Sequence, residues 1–282
     1  MNAKPSITLY GYGYVGQAVF SFLRDHYKLL VVDPRISDAN SVAMTGDGHS
    51  YCTEHAKAPR SSHAIVCVPT PMSEDGSCDT SIVEAILRDT EHDFYLVKST
   101  VPPGTCDRLA KETGKSIVFS PEYIGEGKYE IPFWKDLPHP TNMKLHSFHI
   151  FGGEPEARAQ WIAIWQKVAG WSATYQETDR KTAELVKYAE NMFLATKKIF
   201  FDELYEVAGV MGVSYNQLKE LLLLDGRVGR SMSLIFPDSR GFSGKCLPKD
   251  TAGICAAAKA AGYEPKLWQE VIASNKRIRG EV

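Results

Sequence analysis

Gly11, Gly13 and Gly16 stand in the pattern Gly-x-Gly-x-x-Gly, directly after the apolar run Ile7–Tyr10 and before a helical stretch to about Arg24. No other feature of the chain limits its fold as strongly. The first glycine permits a tight turn, the second lets the backbone approach a pyrophosphate, and the third lets strand and helix pack closely. The helix start offers free N–H groups to phosphates, so Gly11, Tyr12, Gly13, Tyr14, Val15 and Gly16 read as a dinucleotide cradle. The pattern alone also fits a glycine turn in an unrelated α/β domain. Here the next apolar run, Leu29–Val32, ends in Asp33, 22 residues after Gly11. A carboxylate there accepts from ribose hydroxyls and repels a 2′-phosphate, which favours NAD over NADP. Arg35 nearby argues against that preference.

Further short apolar runs follow at Ala64–Val68 and Phe94–Val97, with shorter candidates at Ile117–Phe119 and Phe148–Phe151. Continuous apolar runs suit strands buried on both faces, and their spacing suits crossover helices and a mostly parallel sheet. Beyond Asp179 the pattern turns helical: Lys181 to about Val207 without Gly or Pro, then Ser214 to about Leu224. A loop rich in Gly, Ser and Pro spans 226–248, a helix capped by Asp250 runs to about Ala261, and a last helix covers about Pro265–Arg279. The expected architecture is an α/β Rossmann-like NAD-binding domain over residues 1–178 and an all-helical central domain over 179–282.

Apolar residues make up 44% of the 282, which allows a sizeable core. The formal charge of -2 supplies no overall field for nucleic acid or an anionic membrane. No apolar run is long enough to span a bilayer, and the N-terminus lacks a signal-peptide pattern. Six cysteines without a CxxC pair and no HExxH motif argue against a disulfide scaffold and a metal site, so a cytoplasmic setting fits.

Ligands in open α/β sheets bind beyond the carboxyl ends of the strands. Three polar turns lie there: Val68-Pro69-Thr70-Pro71, Ser99-Thr100 through Thr105, and Ser120-Pro121-Glu122. Each would also serve as an ordinary helix-capping turn. Glu122 and Glu126 suit proton transfer, or plain solvation. Lys187 and Asn191, at i and i+4, share a helix face; with Lys181 and Glu184 the charges would equally lace a solvated surface. Cys246 lies between Lys245 and Lys249, before the helix capped by Asp250. Cations and helix-start N–H groups lower a thiol pKa, which favours a nucleophile over a core cysteine, whereas Cys67 reads as packing. A dinucleotide site with such a thiol suggests two successive oxidations, of alcohol to aldehyde and of thiohemiacetal to thioester, followed by hydrolysis.

These stretches, with Asp75-Gly76 and Asp79, Ser120 through Gly127, Ala183 through Ala195 and Gly244 through Asp250, resemble the UDP-glucose/GDP-mannose dehydrogenase family, and within it the UDP-glucose 6-dehydrogenases most. The resemblance implies Cys246 as nucleophile, Lys187 and Asn191 on the substrate oxygen, and Asp250 positioning the thiol or a water that Thr100 helps to order. It implies Glu122 as general acid/base, Glu126 on the nicotinamide side, Pro69, Thr70 and Ser99 at the cofactor, and Tyr123 and Lys249 at the substrate or a phosphate. The implied reaction resembles UDP-glucose, two NAD and water giving UDP-glucuronate and two NADH, as in polysaccharide biosynthesis, in a homodimer formed through the central helices. Three departures stand out. Gly125 replaces an arginine of the family pattern, Ser243 replaces the first of two glycines, and the sequence stops near where the family's second α/β domain begins. A cut chain, a partner supplying that domain, another alcohol or a weak remnant would each explain the last. A two-electron alcohol or hydroxyacid dehydrogenase and an NAD-binding module without turnover are the competing expectations.

Overall fold

The computed structural model describes residues 6–36, 48–124 and 142–281. Eight strands form one sheet: β1 (Ser6–Tyr10), β2 (Lys28–Val32), β3 (Ser50–Cys52), β4 (His63–Val66), β5 (Phe94–Val97), β6 (Ser116–Phe119), β7 (Phe148–Gly152) and β8 (Thr174–Thr178), in the order β3-β2-β1-β4-β5-β6-β7-β8. All neighbours are parallel except β6 and β7. The helices between them are α1 (Tyr14–Leu23), α2 (Ser81–Asp89), α3 (Thr105–Thr113) and α4 (Pro155–Ala169). After β8 come α5 (Arg180–Val210), α6 (Tyr215–Leu222), α7 (Cys246–Ala260) and α8 (Lys266–Arg279), a region of helices as the sequence pattern predicts.

Strand side chains alternate between two faces, so the inner strands feed two cores. Ile7, Leu9, Val31, Ile65, Leu96 and Val118 join Phe22, Trp161 and Trp165 in one core. Tyr10, Val32, Val66, Tyr95, Val97 and Phe119 join Val83, Leu87 and Leu109 in the other. That double burial is why the strands read as unbroken apolar runs. The chain turns in opposite directions from β1 toward β2 and β4, which leaves the loops after β1 and β4 side by side.

Contacts divide the chain into one unit of residues 1–71 and 79–187 and another of 72–78 and 188–282. The boundary read from sequence, at 178 and 179, falls just before α5. In the second unit Met72 and Cys78 form an antiparallel bridge, and a core forms around Tyr188, Met192, Ile199, Phe242, Ile254 and Val271. One expectation is corrected here. Asp250 does not cap a helix; α7 begins four residues earlier, at Cys246, with Lys245 as N-cap. Pro248 lies in the first turn, where its missing N–H would have had no helical partner, so it does not stop the helix. The loop expected over 226–248 is shorter to that extent.

Candidate functional site

In the first unit the glycine turn fits a dinucleotide. A Cβ on Gly11, at φ +90°, would lie 2.5 Å from the Cys67 carbonyl oxygen, and one on Gly16 would overlap the Gly11 carbonyl. Around Gly13 a Cβ would meet nothing within 4 Å, so that backbone is open to approach. Gly13 caps α1 without a side-chain hydrogen bond, and no acidic residue occupies the first turn. The first turn therefore brings no carboxylate of its own against its N–H groups, as suits a pyrophosphate site. Asp33, buried at the end of β2, accepts from the Tyr12 N–H at 2.7 Å and the Arg35 N–H at 2.8 Å. Burial works against its charge, but those donors and the Arg35 guanidinium outweigh it and hold the carboxyl below its usual range. Arg35 is thus engaged with Asp33, at 3.4 Å.

The loops after β4 and β5 are tied together. Thr70 donates to the Thr100 carbonyl at 2.9 Å and Ser99 to the Val68 carbonyl at 2.7 Å. Pro69 is exposed and Thr100 half-buried. Glu184 is fully buried and accepts from the N–H groups of Gly104 and Cys106, at 2.5 and 2.8 Å, where α3 starts. Burial pushes its carboxyl up to about 7 despite those hydrogen bonds.

Beyond β6, Glu122 is buried. One carboxylate oxygen accepts from the Ile124 N–H at 2.8 Å, and the other lies 3.3 Å from the Lys187 ammonium. Lys187 is also buried, 5.6 Å from the centre of the Tyr123 ring. Glu184 and Lys187 are therefore not part of a solvated charge lacing, although Lys181 is exposed, and Glu122 is not simply solvated. Lys98, which sequence reasoning passed over, is buried against the Ser120-Pro121 turn. The only signal for it was a lysine directly after the apolar run Phe94–Val97, and that reads equally as a strand end. Glu126 and Gly125 lie outside the described residues.

In the second unit Cys246 is half-buried at the first position of α7, whose first turn has no acidic residue. Asp250, one turn on, is 1% exposed. It accepts from the Asn191 amide and, with its other oxygen, from the Lys249 ammonium. The approach to the cysteine is braced. Asp202, fully buried, takes Lys198, the Arg240 guanidinium and the Gly241 N–H. Asn275 pairs with both the N–H and the carbonyl of Phe242. Gly244 carries φ +87°, and Ser243 is not among the positive-φ residues. The departure at Ser243 thus falls where the backbone does not require glycine, and Gly244, whose φ does, is glycine.

A thiol at a helix start beside a buried, amide-bound carboxylate can act as a nucleophile. A buried carboxylate paired with an ammonium can exchange protons and stabilise a developing oxyanion.

The model of the UDP-glucose/GDP-mannose dehydrogenase family, NAD binding domain, matches residues 28–133, and that of the family's central domain matches 181–277. UDP-glucose 6-dehydrogenase AglM of Haloferax volcanii is 30% identical over 249 residues, covering 82% of this chain and 56% of its own length. UDP-glucose 6-dehydrogenase TuaD of Bacillus subtilis is 30% identical over 263 residues, covering 88% and 54%. The structure of a UDP-glucose dehydrogenase from Pyrobaculum islandicum matches with a TM-score of 0.78 at 27% identity, covering 97% of this chain and 68% of that one. The chain spans a little over half the length of these curated relatives. The cofactor is NAD: the glycine cradle and Asp33 fit it, and the NAD-binding family model matches.

Proposed function

The chain belongs to the UDP-glucose/GDP-mannose dehydrogenase family, and on that premise we propose that it oxidises the C6 alcohol of a nucleotide sugar to the acid in two NAD-dependent steps. UDP-glucose is the preferred candidate, because the curated relatives described above are UDP-glucose 6-dehydrogenases. The observation that carries the reading is Cys246 at the first position of α7, one turn from an Asp250 bound by Asn191.

When bound, NAD would supply the oxidising power by accepting a hydride from the carbon being oxidised in each of the two steps. Everything else falls to the chain's own residues. Gly11–Gly16 hold the pyrophosphate and Asp33 the ribose, with Pro69, Thr70, Ser99 and Thr100 along the cofactor. In the first oxidation the alcohol becomes an aldehyde. The Cys246 thiolate then adds to the aldehyde carbon, forming a C–S bond and moving the carbonyl pair onto oxygen, and a proton makes the thiohemiacetal. The second oxidation leaves a thioester. Water attacks it, the C–S bond breaks, and the sulfur leaves as thiolate. Lys187 and Asn191 serve the developing oxyanion, Glu122 takes the proton of the attacking water, Thr100 orders that water, and Asp250 orients the thiol. Tyr123 and Lys249 are assigned to the substrate. The sum is one alcohol, two oxidised NAD and one water giving one acid, two NADH and two protons, one released in each oxidation.

A homodimer through the central helices belongs to the same proposal. It draws support from Phe193, Phe200 and Val207, exposed at seven-residue spacing along α5.

The test is NADH yield per mole of limiting sugar nucleotide, for the intact chain and Cys246→Ala, with UDP-glucose, GDP-mannose and N-acetylated UDP sugars. Two NADH per sugar, lost in the variant, is the expected outcome. One NADH per sugar, indifferent to the substitution, would point to a two-electron dehydrogenase. No NADH despite NAD binding would leave a cofactor-binding module.

A further inference from the structure

Lys98 has no part in the mechanism above, and its surroundings assign it one. It follows directly on β5 and is 3% exposed. Its ammonium donates to the Ser120 carbonyl at 3.2 Å, the Ser120 hydroxyl at 3.1 Å and the Pro121 carbonyl at 3.4 Å. Trp165, on α4, closes the site with its ring centre 5.6 Å away. A buried ammonium must satisfy three donors, and here all three go to the two residues that precede Glu122. The turn they hold presents the Glu122 carboxylate to Lys187.

We propose that Lys98 is a positioning residue: it fixes the Ser120-Pro121 turn so that Glu122 meets Lys187, and it feels the Glu122 charge directly. The functional half of this rests on Glu122 acting as the base; the geometric half does not. The titratable groups around Lys98 are Cys67 beyond β4, Glu122 beyond β6, Lys187 on α5, His146 just before β7 and His149 on it, while α4 contributes Trp165. Burial lowers the lysine to about 8, Cys67 and Glu122 oppose that shift, and Lys187 adds to it. His149 is itself driven down to about 3, by burial first and then by Lys98, so its ring is neutral near pH 8.

The direct test is an NMR titration of the full chain labelled with ¹³Cε-lysine. The Lys98 resonance is identified by its loss in Lys98→Met, or in Lys98→Arg should the first variant not fold. The expected midpoint is about 8, falling by roughly half a unit or more in Glu122→Gln, because a charge that favoured the ammonium is gone. By reciprocity, that shift measures the effect of Lys98 on Glu122. An unmoved midpoint overturns the proposal. With turnover as a second readout, Lys98→Met lowers kcat by roughly tenfold or more while KM stays within about twofold. It also removes an alkaline limb near pH 8 from the wild-type profile. If the wild type oxidises no sugar nucleotide but Lys98 still senses Glu122, the proposed function falls and the positioning contact stands. If turnover proceeds and the midpoint ignores Glu122, the reverse holds.

Discussion

Replacing Glu184 by glutamine separates two effects that the buried carboxylate combines. Its oxygens accept from the N–H groups of Gly104 and Cys106 at the start of α3. Glutamine offers one acceptor and one amide that only donates, so one of those N–H groups loses its partner, which costs about 1–3 kcal/mol. Ionisation acts in the opposite sense. The folded carboxyl, raised to about 7 from 4.5, binds its proton more tightly than the unfolded one. Its favourable contribution is therefore complete below about 4.5 and is lost as pH rises through about 7. Over that window the loss amounts to roughly 3 kcal/mol, and glutamine, which does not ionise, escapes it. Glu184→Gln should thus be less stable than wild type by about 1–3 kcal/mol at pH 5 and no less stable at pH 8. In melting temperature the pH 5 deficit is roughly 2–12 °C, at about 2–4 °C per kcal/mol for a chain of this size. Thermal and urea melts of both proteins at pH 5, 6, 7 and 8 would measure it. A deficit that stays constant or widens with pH would refute the reasoning, because burial would then not be what dominates at Glu184.

Other outcomes are checked as directly. Asp33→Asn weakens NAD by roughly 10- to 100-fold, the worth of a charge-assisted hydrogen bond, and narrows the preference over NADP; fluorescence titration with both dinucleotides measures this. Lys187→Met lowers kcat by roughly 10²–10³-fold, as for loss of an oxyanion donor, and leaves NAD affinity within about twofold in the same titration. Gly241→Ala places a Cβ 2.5 Å from the Asn275 side-chain oxygen at φ +72°, so it should destabilise by about 1–3 kcal/mol in a urea melt. An unshifted melt would mean that the 240–242 segment is not held as described.

What the sequence disclosed depended on how local the cause was. The glycine turn and Asp33 were legible because their spacing is set by one strand, one turn and one helix. Most strands were legible because burial on both faces leaves an unbroken apolar run. β3 was not: at three residues, SYC, it is paired to β2 alone, and its exposed Ser50 and Tyr51 give no apolar signal. The start of α7 was misjudged because Asp250 has a capping residue's chemistry and Pro248 has a helix breaker's. Both are overridden, Asp250 by its bond to Asn191, 59 residues away, and Pro248 by its place in the first turn. Lys98 and Glu184 were illegible for the same reason: a lysine or glutamate that buries its charge differs from a solvated one only in its distant partners.

The helical unit is not one continuous piece of chain. Residues 72–78 belong with it, although they lie more than a hundred residues before the rest. A Cβ at Gly76 would stand 3.7 Å from Ala252 on α7. As the polypeptide emerges in order from the ribosome, this short hairpin must wait through the synthesis of the last four strands and α5 before the helix it packs on exists. Closing so long a loop is slow and entropically unfavourable. The Rossmann-like part can therefore assemble early, while the helical part cannot be completed until α7 and α8 have been made. A cut at 187 would not yield two whole halves, because it leaves the hairpin attached to the wrong one.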